Sequence, residues 1–215
     1  MPTKRNKDKS YKVESGSVIL VCNTSDFFIE EADVLRKDAW KVIEERKDCL
    51  FHIITKRIDR FEKCIPSNWF NGWQNVMISV SVSNEEEAWT NVIKLLSLPI
   101  AHRGIVIEPM LEYIGISPFL MTGMIKEVKV GGETYNGMNG YATKCRLADV
   151  AKISDICKYY ETNFRFSHTG SRLITYENKL LNIGKRDEKG LADFYKLNYI
   201  SDVAGKFRGY SKKFG

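Results

Sequence analysis

NVMISVSVSNEEEAW (Asn75–Trp89), followed after a short helical stretch by HRGIVIEP (His102–Pro109), decides how this chain is read. The first eight residues are rich in β-branched side chains and read as a strand. Ser83 and Asn84 each have a glutamate three residues on, Glu86 and Glu87, which is the spacing of a capping box. A helix therefore begins there, with Ala88, Val92, Leu95 and Leu96 as its buried stripe. His102 to Glu108 is the next strand, closed by Pro109. Strand, helix and strand at this spacing form a βαβ unit and call for a parallel sheet.

The same alternation extends both ways. Upstream, Ser17–Cys22 and Leu50–Thr55 read as strands, with Asn23, Thr24, Ser25 and Asp26 ending the first. Between them, residues 30–47 place Ala32, Leu35, Ala39, Val42 and Ile43 on one helical face, and residues 56–64 form a shorter helix. Downstream, residues 110–124 look irregular and Ile125–Val130 is a strand ending in Gly131-Gly132-Glu133. A Gly/Asn-rich loop to Thr143 follows, then a helix marked by Leu147, Val150, Ile153 and Cys157, and a sixth strand, Phe164–His168. After Gly170 the pattern becomes irregular and basic. The fold class is thus α/β, a parallel sheet of about six βα units. Residues 1–16 read as a basic tail, 17–175 as the α/β body and 176–215 as an irregular basic extension. Periodicity alone leaves an open doubly wound sheet and most of a barrel equally admissible.

Composition narrows the function classes. Hydrophobic residues are 43% of the 215, enough for a core and too many for global disorder. No apolar run approaches the roughly 18 residues of a membrane helix, and the polar start is no secretory signal. Five cysteines without metal-ligand spacing point to reduced thiols in a cytoplasm. The net charge of +6 hints at nucleic acid. However, residues 1–12 and 203–215 together carry +8, so the body carries −2, and the bland reading is solvated basic tails.

In parallel α/β architectures, sites gather at the carboxyl ends of strands. The candidate ligand-binding residues there are Asp26, Lys56, Ser81, Glu108, Glu133 and His168, a mixed rim suited to a polar, zwitterionic or phosphorylated small ligand. Polar strand ends also arise simply from solvent exposure and helix capping, most plainly for Asp26, Ser83 and Asn84. His52 lies inside an apolar strand and reads as a satisfied core histidine. No Walker A or G-x-G-x-x-G pattern occurs.

Five segments in register carry a family resemblance: Thr24-Ser-Asp-Phe-Phe28, Ile53-Ile-Thr-Lys-Arg57, Glu108-Pro109, Gly131-Gly-Glu133 and Phe164-Arg-Phe-Ser-His-Thr-Gly170. Over residues 10–175 the chain resembles the phage and prophage three-cysteine-motif family, whose members are similar to radical S-adenosylmethionine enzymes. The resemblance implies an incomplete TIM-type barrel. For full-length relatives it implies S-adenosylmethionine and a four-iron cluster held by N-terminal cysteines. Residues 1–7 resemble the loop before the family's second strand, so the cysteine segment is expected to be missing, as a natural loss, a misassigned start, the mark of a degenerate copy or a segment supplied by another chain, and no cofactor is expected in this chain. Ser167-His168-Thr169-Gly170 also departs from the Lys-Gln that members favour. Two function classes follow: a phage-related enzyme that has lost its cluster-binding N-terminus, or a non-catalytic binding or interaction protein, with nucleic acid as one partner. Sequence leaves enzymatic activity and oligomeric state open.

Overall fold

The computed structural model describes residues 1–22, 24–135 and 141–202. Asn23, the centre of the Gly/Asn-rich loop (136–140) and the basic segment 203–215 lie outside the described residues.

The elements follow in chain order. Strand β1 (Val18–Val21) leads through a 3-10 turn, Glu30–Ala32, to α1 (Asp33–Glu45) and β2 (Leu50–Thr55). A 3-10 turn, Ile58–Arg60, and the short α2 (Phe61–Cys64) precede β3 (Val76–Val82), α3 (Glu85–Ser97) and β4 (His102–Ile107). Next come α4 (Ser117–Leu120), β5 (Ile125–Gly131), β6 (Cys145–Arg146), α5 (Leu147–Tyr159) and β7 (Asn163–His168). The described chain ends with β8 (Arg172–Ile174), β9 (Leu180–Asn182) and α6 (Glu188–Phe194).

Six strands form one sheet in the order β1-β2-β3-β4-β5-β7, with every pairing parallel, and the sheet curls into a half-barrel. Register sorts the side chains into two faces, because paired residues of a parallel ladder point the same way. Val80, Ile105 and Val128 lie in one row, and Val82, Ile107 and Val130 in the next. These buried residues belong to the main core. The opposite face carries Ile54, Ser79, Gly104, Glu127 and Asn163 in one row and Ser81, Val106, Lys129 and Arg165 in another. This second face is the concave one, and it is mixed and polar.

His52 reports the curvature. Burial, and then the positive charges of Lys129 and Arg165, push its pKa down to about 4. His52 is on β2 and Arg165 on β7, four strand spacings apart, or about 19 Å in a flat sheet. Curling brings these groups within electrostatic range across the hollow. The neutral ring sits 2.7 Å from Ser79 Oγ, as expected of a satisfied buried histidine.

Five local expectations change. Leu35 on α1 is exposed, and Arg36 and Trp40 are buried beside the expected Ile43. At α3, Asn84 is the cap and accepts from Glu87 N, while the Glu87 carboxylate reaches Ser83 N, one residue before the cap. Residues 110–124 contain α4. After Gly170 the chain is not wholly irregular: β8 and β9 join β6 in a second small sheet, and α6 buries Glu188 and Ala192. The N-terminal stretch also folds back. Buried Arg46 donates to Pro2 O and to Val13 O, stacks 4.0 Å from the Tyr11 ring centroid and is paired with Asp48.

No helix among the described residues is long and apolar enough to cross a membrane.

Candidate functional site

The ends of β4, β5 and β7 bring their polar residues into direct contact. Glu108, the residue after β4, receives Lys129 Nζ at 2.7 Å and lies 3.0 Å from His168 Nε2. Ser167 Oγ is 3.2 Å from the same carboxylate and 2.9 Å from Val130 O, so its single proton can serve either acceptor. Burial alone would raise the Glu108 carboxyl. The His168 hydrogen bond and the nearby Lys129 charge outweigh it and bring the pKa down to about 2.

Gly131 makes this convergence sterically feasible. A Cβ there would lie 2.8 Å from Glu108 Cγ, His168 Nε2 and Ser167 Oγ at once. One step along, a Cβ on Gly132 would meet Thr169 O at 2.1 Å, and Gly170 has φ of +69° and abuts the Glu133 backbone. The Gly-Gly pair thus lets the extensions of β5 and β7 run in close contact.

The other ring nitrogen of His168, Nδ1, is buried without a hydrogen-bond partner among the described residues and lies 3.6 Å from Glu188 Oε2. Glu188, at the start of α6, is itself buried and accepts from Thr134 Oγ1 at 2.6 Å and Ser171 Oγ at 2.8 Å. His168 therefore lies between two carboxylates from separate elements.

The remaining expected site residues occupy neighbouring positions with their own partners. Asp26 accepts from Thr55 Oγ1 and Lys56 N, each at 2.8 Å, and lies 3.3 Å from Arg57 Nη1. Lys56 Nζ is 3.4 Å from Ser83 Oγ. Ser81 is buried on the concave face, in the row of Lys129. The Glu133 carboxylate accepts from Thr143 N at 2.6 Å. Of the six, only Glu108 and His168 bond side chain to side chain; Asp26 and Lys56 meet through the Lys56 backbone. Lys129, Ser167 and Glu188 escaped the sequence reading. Lys129 had a signal, since Glu127 and Lys129 alternate with Val128 and Val130. Glu188 follows the last strand of the large sheet by twenty positions and had none.

Among the described residues no group of three or more His, Cys, Asp or Glu is placed to hold a metal ion. Burial raises Cys49, Cys64, Cys145 and Cys157, with Cys145 pushed up to about 12. All five cysteines are free, and only Cys22 is exposed.

The model of a family described as a protein of unknown function (DUF5131) matches residues 2–193, and the chain belongs to that family. Comparison with curated proteins and with solved structures returned no match.

Proposed function

We propose that this member of the DUF5131 family binds a small zwitterionic or phosphorylated ligand at the carboxyl ends of the half-barrel strands, on a scaffold of radical-SAM-like ancestry. The observation that carries the reading is the closure of Glu108, Lys129, Ser167 and His168 over Gly131. The carboxylates of Asp26, Glu108 and Glu133 suit an amino group. Lys56 beside Ser83, with Ser81 nearby, suits a carboxylate or phosphate. Under the radical-SAM-like resemblance the ligand is S-adenosylmethionine, held weakly because these thiols offer no cluster to chelate it. The free, mostly buried thiols fit a reducing, cytoplasmic setting.

One feature argues against Glu108 itself as a general base. A carboxylate with a pKa of about 2 is a poor proton acceptor at neutral pH. Glu108 is therefore read as a fixed negative charge that orients a ligand.

Calorimetric titration with S-adenosylmethionine tests the proposal on the wild type and on Glu108→Ala, Glu133→Ala and Gly131→Ala. Removing a charge-assisted contact at Glu108 should weaken binding about tenfold or more. Gly131→Ala should weaken it too, by forcing the cluster apart. Heats absent from the wild type, or unchanged in all three variants, would refute the assignment.

A further inference from the structure

We infer that the small sheet β6-β8-β9 and the described residues beside it form a binding surface for single-stranded nucleic acid, adjoining the half-barrel rim at Ser171. The folded body carries −2 overall between residues 13 and 202. Within it, segments 141–146 and 171–187 hold Lys144, Arg146, Arg172, Lys179, Lys185 and Arg186 against only Glu177 and Asp187, a local +4. Glu133 and Glu188, bonded to Thr143 N and Ser171 Oγ beside these segments, lower the local sum to +2, still opposite in sign to the body as a whole, and the lysines with Arg146 and Arg186 are exposed.

The aromatic groups supply the second half of the argument. A hollow on this lobe is lined by Tyr135, Tyr141, Ser171, Arg172, Asn182 and Lys185. Tyr141 is 85% exposed and Tyr135 53%, so both rings are open to a partner. The Arg172 guanidinium lies 5.2 Å from the Tyr141 ring centroid and donates to Ala142 O. Its Nε is buried with no hydrogen-bond partner among the described residues. A cation backing an exposed ring, with Lys185 and Asn182 lining the same hollow, matches the requirements of a flexible strand. Bases stack on the tyrosines, phosphates meet Arg172 and Lys185, and Asn182 offers hydrogen bonds. A duplex hides its base faces and gains nothing from the rings, so the surface suits single strands.

Fluorescence anisotropy on the full chain tests this with a labelled 12-nucleotide mixed-sequence DNA, the same sequence as RNA, and the DNA duplex. The wild type should bind one or both single strands more tightly than the duplex, with affinity falling steeply as salt rises. Tyr141→Ala and Lys185→Glu alter exposed side chains. Tyr141→Ala should weaken single-strand binding about tenfold at unchanged thermal stability, and Tyr141→Phe should restore it. Lys185→Glu should weaken it and flatten the salt dependence. Binding carried by the basic termini would ignore Tyr141 and favour the duplex at least equally, and that result would overturn the inference. So would the absence of binding at low salt, or a Tyr141→Phe variant no better than Tyr141→Ala.

Discussion

Two glycines clear space for polar groups on the concave face. Gly131 does so for the Glu108 cluster. Gly104 does so deeper in the hollow, where a Cβ would lie 2.3 Å from Ser79 Oγ and displace the partner of His52. The second case has a measurable consequence. Burial first, and then Lys129 and Arg165, hold the His52 pKa at about 4, below its ordinary 6.5. An unfolded chain would protonate this ring from about pH 6.5 downward while the folded one resists, so its contribution to stability is full above that pH and is lost as pH falls toward 4. Histidine NMR should show the His52 ring neutral at pH 5.5, with its midpoint near 4. A midpoint near 6.5 would mean that the ring is solvated and that the sheet does not bring Lys129 and Arg165 toward it.

At the scale of elements, α1 separates what is legible in a sequence from what is not. Counting apolar residues selects Ala32, Leu35, Ala39, Val42 and Ile43, whereas packing buries Arg36, Trp40 and Ile43, so Ile43 alone is common to both. Trp40 meets Phe27, Trp69 and Trp73 at ring-centroid distances of 5.1, 5.5 and 5.5 Å and donates to Cys64 O. Arg36 is drawn inside because Phe27 O and Ile29 O need donors. No apolar template counts a buried arginine. Urea unfolding should therefore find Leu35→Glu within about 0.5 kcal/mol of wild type and Trp40→Ala about 3–5 kcal/mol less stable; similar losses would restore the apolar stripe. The strands were easier to read, because runs such as Val76–Val82 are buried on both faces and so densely β-branched. The parallel order followed from the alternation of strands and helices. Helix α6 was not readable: only Glu188 and Ala192 are buried in it, too few for a periodic stripe, and Glu188 is held by Thr134 and Ser171, far away in sequence. The Glu108–His168 contact was half legible, since both residues end strands, but the Lys129 that completes it sits inside β5.

At the scale of the whole molecule, the half-barrel has two edges that are treated differently. The β7 edge is covered: Phe164 exchanges backbone hydrogen bonds with Tyr199 at 2.8 and 3.0 Å, Asn198 Oδ1 accepts from Phe166 N, and α6 packs against the strand. β1 ends the sheet on the other side, is only partly buried, and leaves Leu20 42% exposed. Between these edges, β3 is buried at every position. Edge strands open locally, whereas a strand covered on both faces and paired on both sides exchanges its amides mainly when the whole domain unfolds. Native-state hydrogen exchange followed by mass spectrometry should rank the strands accordingly. Peptides from β1 should exchange first, those from β7 should follow later although it too ends the large sheet, and those from β3 and β4 should be last. Protection of β1 equal to that of β3 would show that its outer edge is paired in solution, by other residues of this chain or by a second copy. Measurement across a range of protein concentrations separates the two, because only pairing between copies weakens on dilution.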